Sequence, residues 1–190
     1  MKWTSVRKNG QVFEKMDMLK YFIEEPEREF HLREIARLAG VSPSTVSKHL
    51  SELSKSGTVV CTSNRGLKLF RANTGNFVYR DAKLFYNLSR LRESGMIEHL
   101  TAEFNHPKSI VLFGSFRKSD NVAGSDIDIF IQTPLKKDPD LSRFEKSLGH
   151  PVQLFLASDT DVERMKKKNK ELLNNILNGI VLEGFFEVFR

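Results

Sequence analysis

Residues 111–131 read VLFGSFRKSDNVAGSDIDIFI. An apolar run ends in Gly114-Ser115, and twelve residues after the glycine Asp126 and Asp128 stand two apart among Ile127, Ile129, Phe130 and Ile131. We expect a strand over 109–113, a turn into a short helical segment, and a second strand over 125–132. Strand residues alternate faces, so positions i and i+2 project from one side. Two carboxylates on one face of an apolar strand are costly unless a cation neutralises them. An N-terminal cap or a surface ion pair is the alternative, and the apolar neighbours weigh against it. A divalent metal is the simplest cation, and Mg2+ or Mn2+ suits oxygen ligands. Glycine lets a backbone approach a phosphate, and exposed N–H groups at a helix start attract anions. Gly114 and Ser115 therefore point to a nucleoside triphosphate carried with the metal. Arg117 and Lys118 read equally as phosphate partners or as a solvated turn.

The rest of the chain sets this stretch in a basic protein. It has 190 residues and a formal net charge of +6. Residues 1–95 hold 17 Lys/Arg against 10 Asp/Glu, whereas residues 96–190 hold 13 against 14. The basic excess lies wholly in the first half, as expected of a nucleic-acid-facing module or, equally on charge alone, of a soluble surface with ordinary charge scatter. Cys61 is the only cysteine, which excludes a disulfide framework and a multi-thiolate zinc site. The five histidines show no metal-ligand spacing. No apolar run is long enough to span a membrane, and the N-terminus lacks a signal-peptide pattern. The expected location is cytoplasmic, with no membrane partner.

In that first half, Phe13, Met16, Leu19, Tyr21, Phe22 and Ile23 recur at helical spacing, and Glu24-Glu25-Pro26 ends the helix. A second helix fits 32–38, with Leu32, Ile35, Ala36 and Leu38 as its buried stripe, and Gly40 suits a left-handed C-terminal cap. Ser42 is a good N-cap and Pro43 suits the first helical position. The third helix then runs from 43 to about 55 and buries Val46, Leu50 and Leu53. Ser44, Thr45, Ser47, Lys48 and Ser51 lie off that stripe. Short polar or basic side chains let a helix reach base edges and phosphates. Strands over 58–62 and 67–71, joined by a turn at 63–66, make a hairpin with Arg65 near its tip and Lys68 and Arg71 beside it.

The segment HLREIARLAGVSPSTVSKHLSEL, with its hairpin, resembles the winged helix-turn-helix regulators. That resemblance implies contact with double-stranded DNA by Ser44, Thr45, Ser47, Lys48, Arg65 and Lys68. Residues 76–104 read as helical, with Phe77, Leu84, Phe85, Leu88 and Leu91 on one apolar face, continued after Gly95 by Met96, Ile97 and Leu100. Such a helix joins domains or pairs with a second copy, so a homodimer is an open possibility.

The motif GSFRKSDNVAGSDID resembles the minimal nucleotidyltransferases of the DNA polymerase β superfamily. The resemblance implies a mixed β-sheet packed on helices, with Gly114 and Ser115 at a triphosphate and Asp126 and Asp128 as catalytic metal ligands; Lys118 is a nucleotide-binding candidate by its position alone. It also implies a third carboxylate on a later strand. The candidate strand, 151–156, carries Gln153 at the inward polar position, and Asp159 and Asp161 fall at the start of the next helix. Ser119 stands where the family often has glycine. Lys166-Lys167-Lys168 reads as a solvated helix face. Residues 171–190 form a helix, then an apolar tail through Phe185, Phe186 and Phe189 that closes the core.

The expected fold class is α+β. A winged helix-turn-helix domain occupies 1–75, a helical linker 76–105 and a nucleotidyltransferase-like domain 106–190. This layout is similar to prokaryotic, chiefly archaeal, two-domain proteins. Three functions stay open on the sequence. One is Mg-nucleotide binding with transfer of a nucleoside monophosphate. Another is a transcription regulator with a catalytically weak transferase-like domain. The third is an antitoxin-like protein with a small helical partner.

Overall fold

The computed structural model describes residues 10–64 and 66–188, so Arg65 and Phe189 lie outside the described residues, as does the side chain of Phe13. The chain divides into two compact units, residues 1–83 and 84–190.

The first unit runs α1 (Gly10–Glu24), β1 (Phe30–His31), α2 (Leu32–Ala39), α3 (Pro43–Lys55), β2 (Val59–Asn64) and β3 (Leu67–Ala72). Phe22 and Phe30 are fully buried and meet edge to face with centroids 5.3 Å apart. Ile35 on α2 and Val46, Leu50 and Leu53 on α3 are buried as well. Gly40 adopts φ 66 and ends α2, and its N–H donates to the Ala36 carbonyl. Two residues on, Ser42 starts α3, its hydroxyl accepting the Thr45 N–H at 3.2 Å with Pro43 at the first helical position. These caps satisfy backbone groups that a tight turn would otherwise leave unpaired.

The three strands form an antiparallel sheet in the order β1-β3-β2. β1 has only two residues, too few to show an alternating pattern, and the sequence reading missed it. Thr58 is not a strand residue as expected. Its hydroxyl donates to the Leu53 carbonyl at 2.9 Å and closes the end of α3. The hairpin is also tighter than expected, with Asn64 opposite Leu67. The α2 stripe is narrower too: Ile35 and Ala36 are buried, but Leu32 is half-buried and Leu38 is 46% exposed. In a helix of two turns, Leu38 falls on the rim.

α4 (Phe77–Glu93) begins in the first unit and ends in the second. Its expected apolar face needs correction. Phe77 and Phe85 are 74% and 56% exposed, and the most buried positions are Tyr79, Lys83, Asn87 and Leu91. These four are spaced four apart and form one stripe. The Tyr79 hydroxyl donates to the Phe22 carbonyl at 2.9 Å, and burial pushes its pKa well above the ordinary phenol value.

The second unit continues with α5 (Met96–Glu103), β4 (Ser109–Phe113), α6 (Gly114–Lys118), β5 (Ile127–Gln132), α7 (Ser142–Leu148), β6 (Val152–Ala157), α8 (Asp159–Lys168), α9 (Lys170–Leu177) and β7 (Ile180–Gly184). The sheet order is β6-β5-β4-β7. β4 is antiparallel to both neighbours, and β5 and β6 are parallel across the α7 crossover. Alternation gives each sheet face its own core. Ile110, Leu112, Ile127, Ile129 and Ile131 pack with α5 and α7 residues such as Leu100 and Phe144. Val111, Phe113 and Phe130 pack with Val162, Leu173, Ile176 and Val188. Among the described residues, no helix is long and apolar enough to cross a membrane.

Candidate functional site

Asp128 is the second residue of β5 and shares its face with Phe130. Its register partner on β4 is Phe113, so the residue following Phe113, Gly114, lies against its carboxylate. Gly114 adopts φ 69, and a Cβ built there would collide with Asp128 Oδ2 and lie 2.8 Å from Cγ. Only glycine combines that backbone conformation with that closeness. Asp128 is half-buried. Burial, and then the negative charge of Asp126, push its carboxyl above the ordinary carboxylate range. A carboxyl held in that state gains from an added cation.

Asp126 is exposed and stands one residue before β5, which starts at Ile127 rather than at 125. A local turn takes up the difference: the Ser125 N–H donates to the Val122 carbonyl at 3.0 Å, and the Val122 N–H to Ser125 Oγ at 2.9 Å. Ser115 lies in α6 one residue past Gly114, half-buried, and Lys118 ends the same helix, exposed. The structure thus gathers Gly114, Asp126 and Asp128 at the junction of β4, α6 and β5, with Ser115 and Lys118 on the short helix that leaves it. Ser119 caps α6 at φ 62, a left-handed conformation that accounts for the glycine expected there.

On α3 the expected face is largely open: Ser44, Ser47, Lys48 and Ser51 are exposed and Thr45 is half-buried. The Ser44 and Thr45 hydroxyls lie 2.8 and 2.9 Å from Ser42 Oγ, so part of their capacity already serves the helix cap. Lys68 is exposed on β3.

Two family models match. Polymerase beta, nucleotidyltransferase matches residues 96–183, and the IclR helix-turn-helix domain matches residues 16–60. The chain is a helix-turn-helix domain joined to a nucleotidyltransferase domain. No curated protein and no solved structure matches it.

Within the nucleotidyltransferase domain, the parallel β5–β6 register sets Gln153 beside Asp128. An amide therefore occupies the position next to the half-buried carboxylate. The aspartates that follow β6 are engaged elsewhere. Asp159 accepts from Gln132 Nε2 at 2.7 Å and pairs with Lys108 at 3.3 Å. Gln132 lies four residues beyond Asp128, roughly 13 Å along the strand. Asp161 closes the α8 cap with Ser158. Among the described residues, no group of three or more His, Cys, Asp or Glu could hold a metal. Two carboxylates and an amide oxygen do not make a closed protein cage. Such oxygen donors would fit an open site for a hard divalent ion that keeps part of its water.

Sequence reasoning missed Asn87. It is buried, and its amide donates to the Phe116 carbonyl at 3.1 Å and to Asn121 Oδ1 at 3.0 Å. These bonds fasten α6 and the loop after it to α4. A polar residue inside a helix carries no signal of such a role until its stripe is known.

Proposed function

We propose that this chain is a DNA-binding protein whose nucleotidyltransferase domain binds a metal-bound nucleoside triphosphate. Asp126 and Asp128 would take Mg2+ or Mn2+; the Gly114 backbone, Ser115 and Lys118 would take phosphate oxygens. The observation that carries this reading is the half-buried Asp128 carboxylate set against Gly114, with Asp126 two residues away. An elevated carboxyl next to a second carboxylate gains most from a doubly charged ion. The metal's chemistry would be to neutralise charge on the triphosphate. The exposed polar face of α3, with Lys48, and the basic first half support DNA as the second ligand.

Gln153 favours a regulatory use over a transferring one. Transfer of a nucleoside monophosphate to a hydroxyl needs a group that accepts its proton, and a neutral amide is a poor base. On this reading nucleotide is bound and transfer is slow, so the domain serves a transcription regulator as a nucleotide-responsive part.

The test is a titration of the full chain with labelled nucleoside triphosphates and Mg2+, alongside Asp126→Ala combined with Asp128→Ala. Binding by the wild type and loss in the double variant is the expected result. Absent binding, or binding untouched by the double change, rules the reading out.

A further inference from the structure

One side chain touches both halves of the motif. His150 lies between Gly149, which ends α7 at φ 76, and Pro151, whose carbonyl accepts the Ile127 N–H at 2.8 Å. Its Nδ1 is 2.9 Å from the Ser125 carbonyl oxygen. Its ring meets Phe116 edge to face, with centroids 4.8 Å apart and planes at 84°. Ser125 immediately precedes Asp126, and Phe116 immediately follows Ser115. A single half-buried imidazole therefore joins the carboxylate side of the site to the Gly-Ser side.

Asp126 has need of such a tether. It is exposed and outside β5, so no strand pairing holds it. The Val122–Ser125 turn closes on itself, and the His150 contact and the Ile127–Pro151 bond tie its end to the segment that leads into β6. A carbonyl only accepts, so Nδ1 must carry the proton that bonds it, which fixes which way the ring faces. The Phe116 contact holds the same ring at its other end, and an edge-to-face pair has a preferred geometry.

We propose that His150 is a positioning residue for the metal–nucleotide site, holding the Ser125 carbonyl and Phe116 so that Asp126 stays aligned with Gly114-Ser115. This rests on the nucleotide-binding reading above. His150 touches neither metal nor phosphate in this scheme. It acts through the backbone before Asp126 and through the side chain after Ser115, as supporting residues do around other metal sites.

The experiment compares the full wild-type chain with His150→Phe, which keeps a ring and removes the donor, and His150→Asn, which keeps a short donor and removes the ring. The Asp126→Ala/Asp128→Ala double variant is the reference for loss. Two readouts are taken: amide hydrogen exchange at Ile127, and equilibrium dialysis of an equal mixture of radiolabelled ATP, GTP, CTP and UTP with Mn2+ present and absent. In His150→Phe, exchange at Ile127 should rise while the β4 amides hold, and Mn2+–nucleotide affinity should fall about tenfold, the scale of one lost hydrogen bond. His150→Asn should recover affinity to within about threefold of wild type. If wild type binds and the double variant does not, yet His150→Phe binds as wild type, the positioning role is overturned and the nucleotide reading stands. Exchange raised across the whole second unit with affinity unchanged also overturns it, because that marks a purely structural residue. A wild-type chain that binds no Mn2+–nucleotide overturns both.

Discussion

Gly114 and the Asp128 carboxylate occupy adjoining space so closely that a methyl group on Gly114 would overlap Asp128 Oδ2. Gly114→Ala must therefore adopt a left-handed backbone and displace the carboxylate. Gly124 supplies the control, since it has φ 83 and open space where its Cβ would go. Both substitutions should cost about 1–2 kcal/mol for the backbone alone. Gly114→Ala should add to that a loss of Mg-nucleotide affinity of about tenfold or more, and Gly124→Ala should not. Urea unfolding and nucleotide titration on the two variants separate the terms.

The neighbour of Asp128 on β6 suggests a gain rather than a loss. Gln153→Glu would set a carboxylate beside Asp128, in register. Without metal, the new charge should push the Asp128 carboxyl still higher and lower stability at neutral pH. With Mn2+ it should tighten binding by about tenfold or more, because a charged oxygen replaces a neutral one. Calorimetric titration with Mn2+ in the presence and absence of nucleotide reads both effects.

DNA binding should show the salt dependence of phosphate contacts. Lys48→Ala and Lys68→Ala remove exposed charges from α3 and β3. Each should weaken binding evenly across a pool of fragments and reduce the slope of log affinity against log salt by about 1. Fluorescence anisotropy at several salt concentrations provides the slope. An unchanged slope in both variants places the DNA face elsewhere.

The α8 cap gives a pH prediction. The Ser158 hydroxyl, then its backbone N–H, hold the Asp161 carboxyl down at about 2. A folded value below the unfolded one stabilises the protein above the ordinary carboxylate range, and that stabilisation is lost as pH falls toward about 2. Ser158→Ala removes the hydroxyl and should return the Asp161 titration toward its ordinary range, observable in the carboxyl carbon chemical shift.

Asn87 carries the last prediction. Asn87→Ala leaves the buried Phe116 carbonyl and Asn121 Oδ1 short of a donor. It should cost about 1–3 kcal/mol in urea unfolding. Mutation of exposed Phe85 on the same helix should change the unfolding free energy far less.

The two cases on α4 explain where the sequence was readable. Local signals were strong: Gly40, Ser42 and Pro43 mark the boundaries of α2 and α3 by cap chemistry, and each stands where it was expected. The Gly-Ser turn and the flanking apolar strands were equally legible, because each depends on neighbours close in sequence. Hydropathy failed on α4, where Lys83 and Asn87 are buried and Phe77 and Phe85 are exposed. Asn87 bonds to Phe116 and Asn121, which lie in distant segments, and no local window contains them. The same holds for His150, whose partners Ser125 and Phe116 are 25 and 34 positions away. The register of Gln153 against Asp128 was a matter of sheet pairing, and the strand itself was visible while its exact partner was not.

The order of the second sheet has a consequence for synthesis. All ladders of the first sheet join residues between 30 and 72, so the helix-turn-helix unit can complete its pairing while later residues are still being made. β4, by contrast, lies between β5 and β7, and Val111 waits for Val181. Until β7 emerges from the ribosome, one edge of β4 stays open, and a strand that is apolar from Ile110 to Phe113 is exposed to other nascent chains. The first unit can thus finish its sheet before the second, and the half with the acidic pair carries an open strand edge for longer.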